Sequence, residues 1–112
     1  MEILELLALA DCVHAAHWNT TSYAEHKALG KLYEDLRDGL DTFVETYQGL
    51  FGRVKIQGIA KIEVMPSLDL CDAIQLKVAD LYKETKGHKD LENILADIEG
   101  LVNHTKYLLT LK

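Results

Sequence analysis

The sequence predicts an all-α protein built from four helices around one core. A single proline and only seven glycines in 112 residues leave long stretches without helix breakers. Apolar residues recur at intervals of three and four through most of the chain, which is the spacing that forms one apolar stripe on a helix. This length supports one core, so we expect one domain over residues 1–112.

The first predicted helix runs from Ile3 to about Trp18. A turn over residues 19–22 follows it. Ser22 and Glu25 then have the spacing of a capping box, in which each side chain accepts a hydrogen bond from the backbone N–H of the other residue. The second helix is therefore expected to begin at Ser22.

The second helix has the most sustained apolar pattern of the chain. It is expected to fray near residues 49–52, after about 28 residues. Its stripe consists of Leu29, Leu32, Tyr33, Leu36, Leu40, Phe43, Val44 and Tyr47.

Between Arg53 and Met65 the pattern changes to β-branched residues that alternate with polar ones. This pattern is typical of a short strand or of an extended crossover. At about 3.3 Å per residue the segment spans roughly 43 Å, enough to return along the side of a bundle. The second and third helices would then run parallel.

The third helix is predicted to open at Pro66 and Ser67 and to stop at Gly87. The fourth is expected to follow a tight turn and to continue from Leu91 almost to Lys112. The elements then form two helical hairpins joined by a crossover, in one four-helix bundle.

Composition restricts the partners and the location. The net charge of −6 disfavours nucleic acid, because phosphate binding depends mainly on clustered Lys and Arg. Cys12 and Cys71 lack a CxxC partner, which favours reduced, buried thiols. Residues 1–10 are apolar but contain two glutamates and no basic start, so we expect no signal peptide, no membrane span and a cytoplasmic location.

Potential metal ligands are concentrated in the first half of the chain. Asp41 and Glu45 are four residues apart and so share one helical face. His26 precedes Asp41 by fifteen residues, which is about 22 Å along a helix and too far for one ion within one chain. A two-fold axis with antiparallel second helices brings these residues together, which predicts a site between subunits. The candidates are Asp11, His14, His17, His26, Asp41 and Glu45.

The His-Trp-Asn motif at residues 17–19, together with His26 and the pair Asp41 and Glu45 at their offsets, resembles the Dps-type mini-ferritins. The resemblance implies a ferritin-like four-helix bundle with a crossover between the second and third helices. It also implies a homo-oligomer built on a two-fold dimer that oxidises ferrous iron and sequesters it. In that family's arrangement, iron would be held by His17 and His26 of one subunit and by Asp41 and Glu45 of its mate, with His14 and Trp18 beside the site.

The chain departs from that family's pattern at Gly30, where the family usually has an aspartate. With one carboxylate fewer, the site would hold one ion well and a second poorly, or would take a different divalent ion such as zinc. The segment between His17 and His26 is also about three residues shorter than usual, and the family's basic N-terminal tail is missing, so DNA binding is not expected.

Three alternatives remain open at this point. Asp11, His14 and His17 follow one another at single-turn spacing, which is a second possible metal-binding face. The chain is also consistent with a ferritin-like bundle without catalysis, serving as a metal buffer or as a structural or interaction module. A third interpretation is an unrelated helical adaptor in which the spacing of His and Asp is accidental.

Overall fold

A computed structural model describes residues 2–111 of the protein, and four helices account for most of them. They are α1 (Leu4–Asn19), α2 (Tyr23–Phe51), α3 (Ser67–Thr85) and α4 (Lys89–Leu108). No strand occurs between residues 2 and 111, so the all-α class is confirmed and the strand alternative for the central segment is wrong. Met1 and Lys112, the ends of the predicted domain, lie outside the described residues.

The helices pack around one apolar core. Helix α1 packs against α2 and α3, and α4 packs against the same two helices. The predicted stripes supply the core. Each helix contributes fully buried side chains to it, for example Leu6, Leu36, Ile74 and Leu95. Burial of a side chain of this size contributes roughly 1.5–3 kcal/mol. The apolar periodicity therefore determines which face of each helix turns inward.

The start of α2 differs from the predicted capping box. The Ser22 hydroxyl accepts from the backbone N–H of Glu25 at 3.2 Å, as expected. The return bond is absent, because the Ser22 N–H donates to the Thr20 hydroxyl at 3.1 Å. The Glu25 carboxylate instead accepts from the Ser67 hydroxyl at 2.6 Å. Glu25 therefore connects the first turn of α2 to the first turn of α3.

Residues 52–66 form a linker without helix or strand, and it lies beside α1. Cys12 holds it there, since its Sγ accepts from the N–H of Glu63 at 3.2 Å and donates to the carbonyl of Lys61 at 3.8 Å. Cys12 and Cys71 are both free and buried, which confirms the prediction made for them. None of the helices within residues 2–111 combines the length and apolarity needed to cross a bilayer.

Candidate functional site

His17 and His26, two of the predicted ligands, are in direct contact where α1 ends and α2 begins. Their rings stack with centroids 3.7 Å apart and planes 16° apart. The Nδ1 of His17 lies 2.6 Å from the backbone carbonyl oxygen of His26. The Nδ1 of His26 lies 2.7 Å from the backbone carbonyl oxygen of His17. The two residues are therefore joined by a reciprocal pair of hydrogen bonds.

These hydrogen bonds indicate which nitrogen of each ring donates. A carbonyl oxygen can only accept, so the Nδ1 of each ring carries a hydrogen and donates it. In a neutral imidazole this leaves Nε2 unprotonated, with its lone pair available. A histidine that binds a metal usually has this arrangement, with the other ring nitrogen donating to a carbonyl or a carboxylate. The turn between the helices thus holds both rings by Nδ1, which leaves the Nε2 of each neutral ring as the nitrogen available to a ligand.

Gly30 makes room for this pair. A β-carbon at position 30 would lie 3.0 Å from Cε1 of His17 and 3.2 Å from its Nδ1, closer than ordinary van der Waals contact. The close approach of the His17 ring therefore explains why a residue without a side chain occupies position 30. The His17 ring occupies the space that a side chain would take.

His14 belongs to an aromatic and cationic row beside the histidine pair. Its ring stacks on Tyr33 with centroids 3.9 Å apart and also contacts Trp18, at 4.3 Å. Arg37 extends the row, with its guanidinium carbon 5.1 Å from the Tyr33 ring centre, and it forms an ion pair with Asp11. Asp11 is thus engaged by Arg37, and within residues 2–111 of one chain Asp11, His14 and His17 do not form a group that could hold a metal.

Tyr33 and Arg37 were not singled out by the sequence as site residues. They are four residues apart on α2, and that spacing places two side chains on one helical face. It does not indicate which neighbours they meet, because those neighbours, Asp11 and His14, come from another helix.

Asp41 and Glu45 lie further along α2 from the histidine pair, with exposed side chains. Within residues 2–111 of one chain, no three side chains of the His, Cys, Asp or Glu type form a group that could hold a metal. One chain therefore brings together the two predicted histidine ligands but not the two carboxylates. The site between subunits stays a prediction.

Asp41 lines an open groove of about 400 Å³ at the end of the α1–α2 hairpin opposite the histidines. Its apolar walls come from both helices and the linker, and its lining includes Leu4, Leu7, Val44 and Ile56. Arg37, the end of the row that begins at Trp18, is also on the groove wall. No sequence pattern indicated this groove, because its walls come from three separate segments.

A model of a family of unknown function, DUF5856, matches residues 17–109. The chain belongs to this family. The DUF5856 match covers both histidines of the stacked pair, both carboxylates and the linker. An uncharacterized 14.6 kDa protein of Enterobacteria phage T4, from the mobD-ri intergenic region, is 34% identical over 114 residues, which is 99% of this chain and 88% of that protein. No solved structure matches the chain.

The suspected membership in the Dps-type mini-ferritins is wrong. The family that matches is DUF5856, and the phage relative carries no ferritin description. The resemblance rested on a few positions in two helices. An apolar helical hairpin can present a histidine at each side of its turn and carboxylates at single-turn spacing without common descent from the ferritins. The motif offsets therefore do not identify the family.

Proposed function

We propose that this DUF5856 protein binds a divalent metal ion between two copies of the chain. His17 and His26 of one copy and Asp41 and Glu45 of the other are the proposed ligands. The observation that carries the proposal is the reciprocal hydrogen bonding of the two histidines, at 2.6 and 2.7 Å. With each Nδ1 donating to a carbonyl, the neutral form of each ring has Nε2 as its free acceptor, which is the state that a metal ligand requires.

The remaining ligands must come from elsewhere, because two imidazoles fill only half of a four-coordinate shell. Asp41 and Glu45 are exposed and one helical turn apart, so both carboxylates can approach one ion. They are separated from His26 by roughly 22–29 Å along α2, which excludes a shared site within one chain. A two-fold axis that lays α2 antiparallel to its copy removes this separation.

The surface shape supports the same two-fold arrangement. Trp18 is 73% exposed at the histidine end of the hairpin, and the apolar groove lies at the other end. Asp41 is on the groove wall, so placing it beside the partner's histidines also brings the partner's Trp18 to the groove. We name the surface formed by Leu7, His14, Trp18, Tyr33 and Arg37 the α1–α2 face and propose it as the dimer interface.

Ferrous iron is the ion we propose first. Neutral imidazoles and carboxylates are a mixed nitrogen and oxygen set that suits iron, and the same set accepts zinc. Oxidation and storage of iron, expected from the ferritin resemblance, stay predictions. Metal binding at this site does not require either of them.

We further propose that the linker is a crossover and that α2 and α3 run parallel in a four-helix bundle. The hydrogen bond from Ser67 to Glu25 supports this order, because it joins the first turns of the two helices. The contact of Cys12 with Lys61 and Glu63 supports it as well, since it places the middle of α1 beside the second half of the linker.

The second candidate is a helical interaction module that does not use a metal. The large exposed side chains on the hairpin favour it, because Trp18 and Tyr23 are 73% and 74% exposed. Clustered aromatic residues of this kind are enriched where proteins bind one another.

Anaerobic titration with ferrous iron and, separately, with zinc tests the proposal. We expect the wild-type chain to bind one ion per pair of histidines, and both the double variant His17→Ala/His26→Ala and the double variant Asp41→Ala/Glu45→Ala to lose binding. Circular dichroism checks that the variants keep their helices. Adding peroxide to the iron-loaded protein then tests oxidation as a separate question.

Mixing the two inactive double variants distinguishes a shared site from a site within one chain. A mixed dimer has one site with intact histidines from one copy and intact carboxylates from the other. We therefore expect mixing to restore about a quarter of the wild-type stoichiometry when the chains exchange statistically. Binding that neither variant weakens, or no recovery on mixing, would overturn the inter-subunit site.

A further inference from the structure

We propose that linker residues 54–64 pair with the same residues of a second copy, as an antiparallel two-stranded ribbon centred on Ile59. The segment is self-complementary about that residue, because apolar and small residues face residues of their own kind, polar residues face polar ones, and Lys55 faces the opposite charge of Glu63. In this register Val54 lies opposite Val64, Lys55 opposite Glu63, Ile56 opposite Ile62, Gln57 opposite Lys61 and Gly58 opposite Ala60.

The exposure of the linker calls for a partner. Ile59 is 97% exposed, and Val64 and Ile62 are 79% and 61% exposed. These β-branched residues favour an extended, half-buried environment. A single isoleucine at a protein surface is ordinary, but a row of them on a segment without secondary structure is typical of an interaction site.

The backbone of the linker also has a free edge at residues 60–62. The carbonyl of Lys61 and the N–H of Glu63 both face the thiol of Cys12 on α1. In an extended chain the polar groups of successive residues point to opposite edges. The groups of Ala60 and Ile62 therefore point away from α1, and they have no hydrogen-bond partner within residues 2–111.

The free edge and the sequence symmetry agree. In an antiparallel pair, hydrogen-bonded and non-hydrogen-bonded residue pairs alternate. If Ala60 and Ile62 supply the bonded pairs, with Gly58 and Ile56 of the second copy, then Ile59 meets its own copy in a non-bonded pair. The same register therefore uses the free backbone edge and places the two-fold axis at Ile59.

Charges specify the same register. The antiparallel pairing places Lys55 opposite Glu63 on both sides of the axis, and opposite charges at facing positions stabilise a ribbon.

Gly58 has φ 118°, which bends the chain beside the centre. Pairing requires this residue to extend, and a glycine changes between such conformations at low steric cost.

Apart from Ile56, which also lines the groove, the ribbon uses a different surface from the proposed metal site. The linker lies over Glu5, Ala8 and Cys12 of α1, whereas the α1–α2 face contains Leu7 and His14 of the same helix. The two sets of residues are on different sides of α1. A chain with both surfaces therefore forms an assembly larger than a dimer, and the ribbon does not depend on metal binding.

Disulfide trapping tests the centre of the ribbon. In a non-bonded antiparallel pair the Cα atoms are about 4.5 Å apart, within the usual range for a disulfide. We expect Ile59→Cys to form a covalent dimer under mild oxidation, resolved on a non-reducing gel. The matched control is Val64→Cys, also exposed, whose copies would be about 33 Å apart across the ribbon.

Charge reversal tests the register by a second route that does not use a thiol. Lys55→Glu places like charges opposite one another, and we expect self-association, measured by sedimentation, to weaken about ten-fold. Glu63→Lys should act in the same way, and the double variant Lys55→Glu/Glu63→Lys should restore association. A purely structural effect of the single changes would not be reversed by combining them.

The outcomes separate clearly. A covalent dimer from Ile59→Cys but not from Val64→Cys, with rescue by the double charge variant, supports the ribbon. Equal cross-linking of both cysteine variants would reveal random collision and overturn the ribbon. A protein that forms no covalent dimer on the gel and shows no self-association in sedimentation would also overturn it. Self-association that persists in the single charge variants, with nothing for the double variant to restore, would assign the exposed isoleucines to another partner surface. It would also overturn the self-pairing.

Discussion

The ring of His17 lies against the backbone of Gly30, where a β-carbon would stand 3.0 Å from its Cε1. The same ring donates to the carbonyl of His26 at 2.6 Å and cannot move away without losing that bond. Gly30 is therefore part of what holds the histidine pair together. A carboxylate at this position, as in the mini-ferritins, is incompatible with the observed position of the His17 ring.

A methyl group at position 30 is expected to disturb the pair. We predict that Gly30→Ala lowers the free energy of unfolding by about 1 kcal/mol, because the cost of overpacking exceeds the gain in helix propensity. The resonances of His17 should shift in NMR spectra, and metal binding should weaken.

Gly100→Ala is the matched control for that change. Gly100 lies within α4 and has open space around the position of a β-carbon. This variant should gain about 0.5–1 kcal/mol from helix propensity alone. If Gly30→Ala were equally stabilising in chemical denaturation, the close contact with His17 would have no energetic consequence.

The hydrogen bond between Glu25 and Ser67 is expected to couple the start of α2 to the start of α3. We predict that Glu25→Ala and Ser67→Ala are non-additive in a double-mutant cycle, with a coupling of about 1 kcal/mol. The reciprocal capping box would instead couple Glu25 to Ser22 through the Glu25 side chain. Ser22→Ala should cost about 1 kcal/mol as a lost cap, with no coupling to Glu25→Ala. Equal coupling in both cycles would contradict this assignment.

The fold was largely predictable because it depends on local periodicity. The stripe that contains Leu36 and the turn before Ser22 both follow from spacing along the chain, and the helices begin and end close to where these patterns predict. Pairwise contacts between elements were not predictable in the same way. The side chain of Glu25 meets Ser67 rather than Ser22, and no pattern within α2 distinguishes the two bonds.

The candidate site was predictable in residue type but not in arrangement. Spacing indicated that His26 and Asp41 could not share an ion in one chain, and the structure keeps them apart. The stacking of His17 on His26 depends on the path of a short turn, which residue identity alone does not determine. In the sequence, glycine in place of an aspartate at position 30 indicated a weaker metal site. The structure shows that Gly30 makes room for the His17 ring.

A charge in the apolar groove is expected to weaken the proposed α1–α2 dimer. Leu7 lines the groove and is 47% exposed, so Leu7→Asp should be tolerated by the fold while opposing the docking of the partner's Trp18. Trp18 is the only tryptophan of the chain, and its emission should shift to shorter wavelength on dimerisation of the wild type. We predict that Leu7→Asp abolishes this concentration-dependent shift.

Leu76→Asp is the control for that experiment. Leu76 is 70% exposed on α3, away from the groove. This variant should keep the shift in Trp18 emission and the sedimentation behaviour of the wild type. Loss of the shift in both variants would indicate a general effect of the added charge rather than docking of Trp18 in the groove.

Cys71 is expected to make the protein sensitive to alkaline pH. Burial raises the pKa of its thiol from 9.0 to about 11, because the thiolate would lose its hydration in the core. Between these values the unfolded chain releases the proton while the folded chain keeps it, so the stabilising contribution is complete below pH 9 and is lost towards pH 11. The free energy of unfolding should fall there by at most about 1.4 kcal/mol per pH unit from this group.

We predict that Cys71→Ala flattens the slope of stability against pH in this window, and that at pH 8 iodoacetamide modifies Cys71 only after unfolding. Because other groups titrate in the same range, including Tyr82 with a pKa that burial raises to about 12, the test is the difference between variant and wild type. Identical slopes in the two proteins would show that the buried thiol does not contribute to alkaline unfolding.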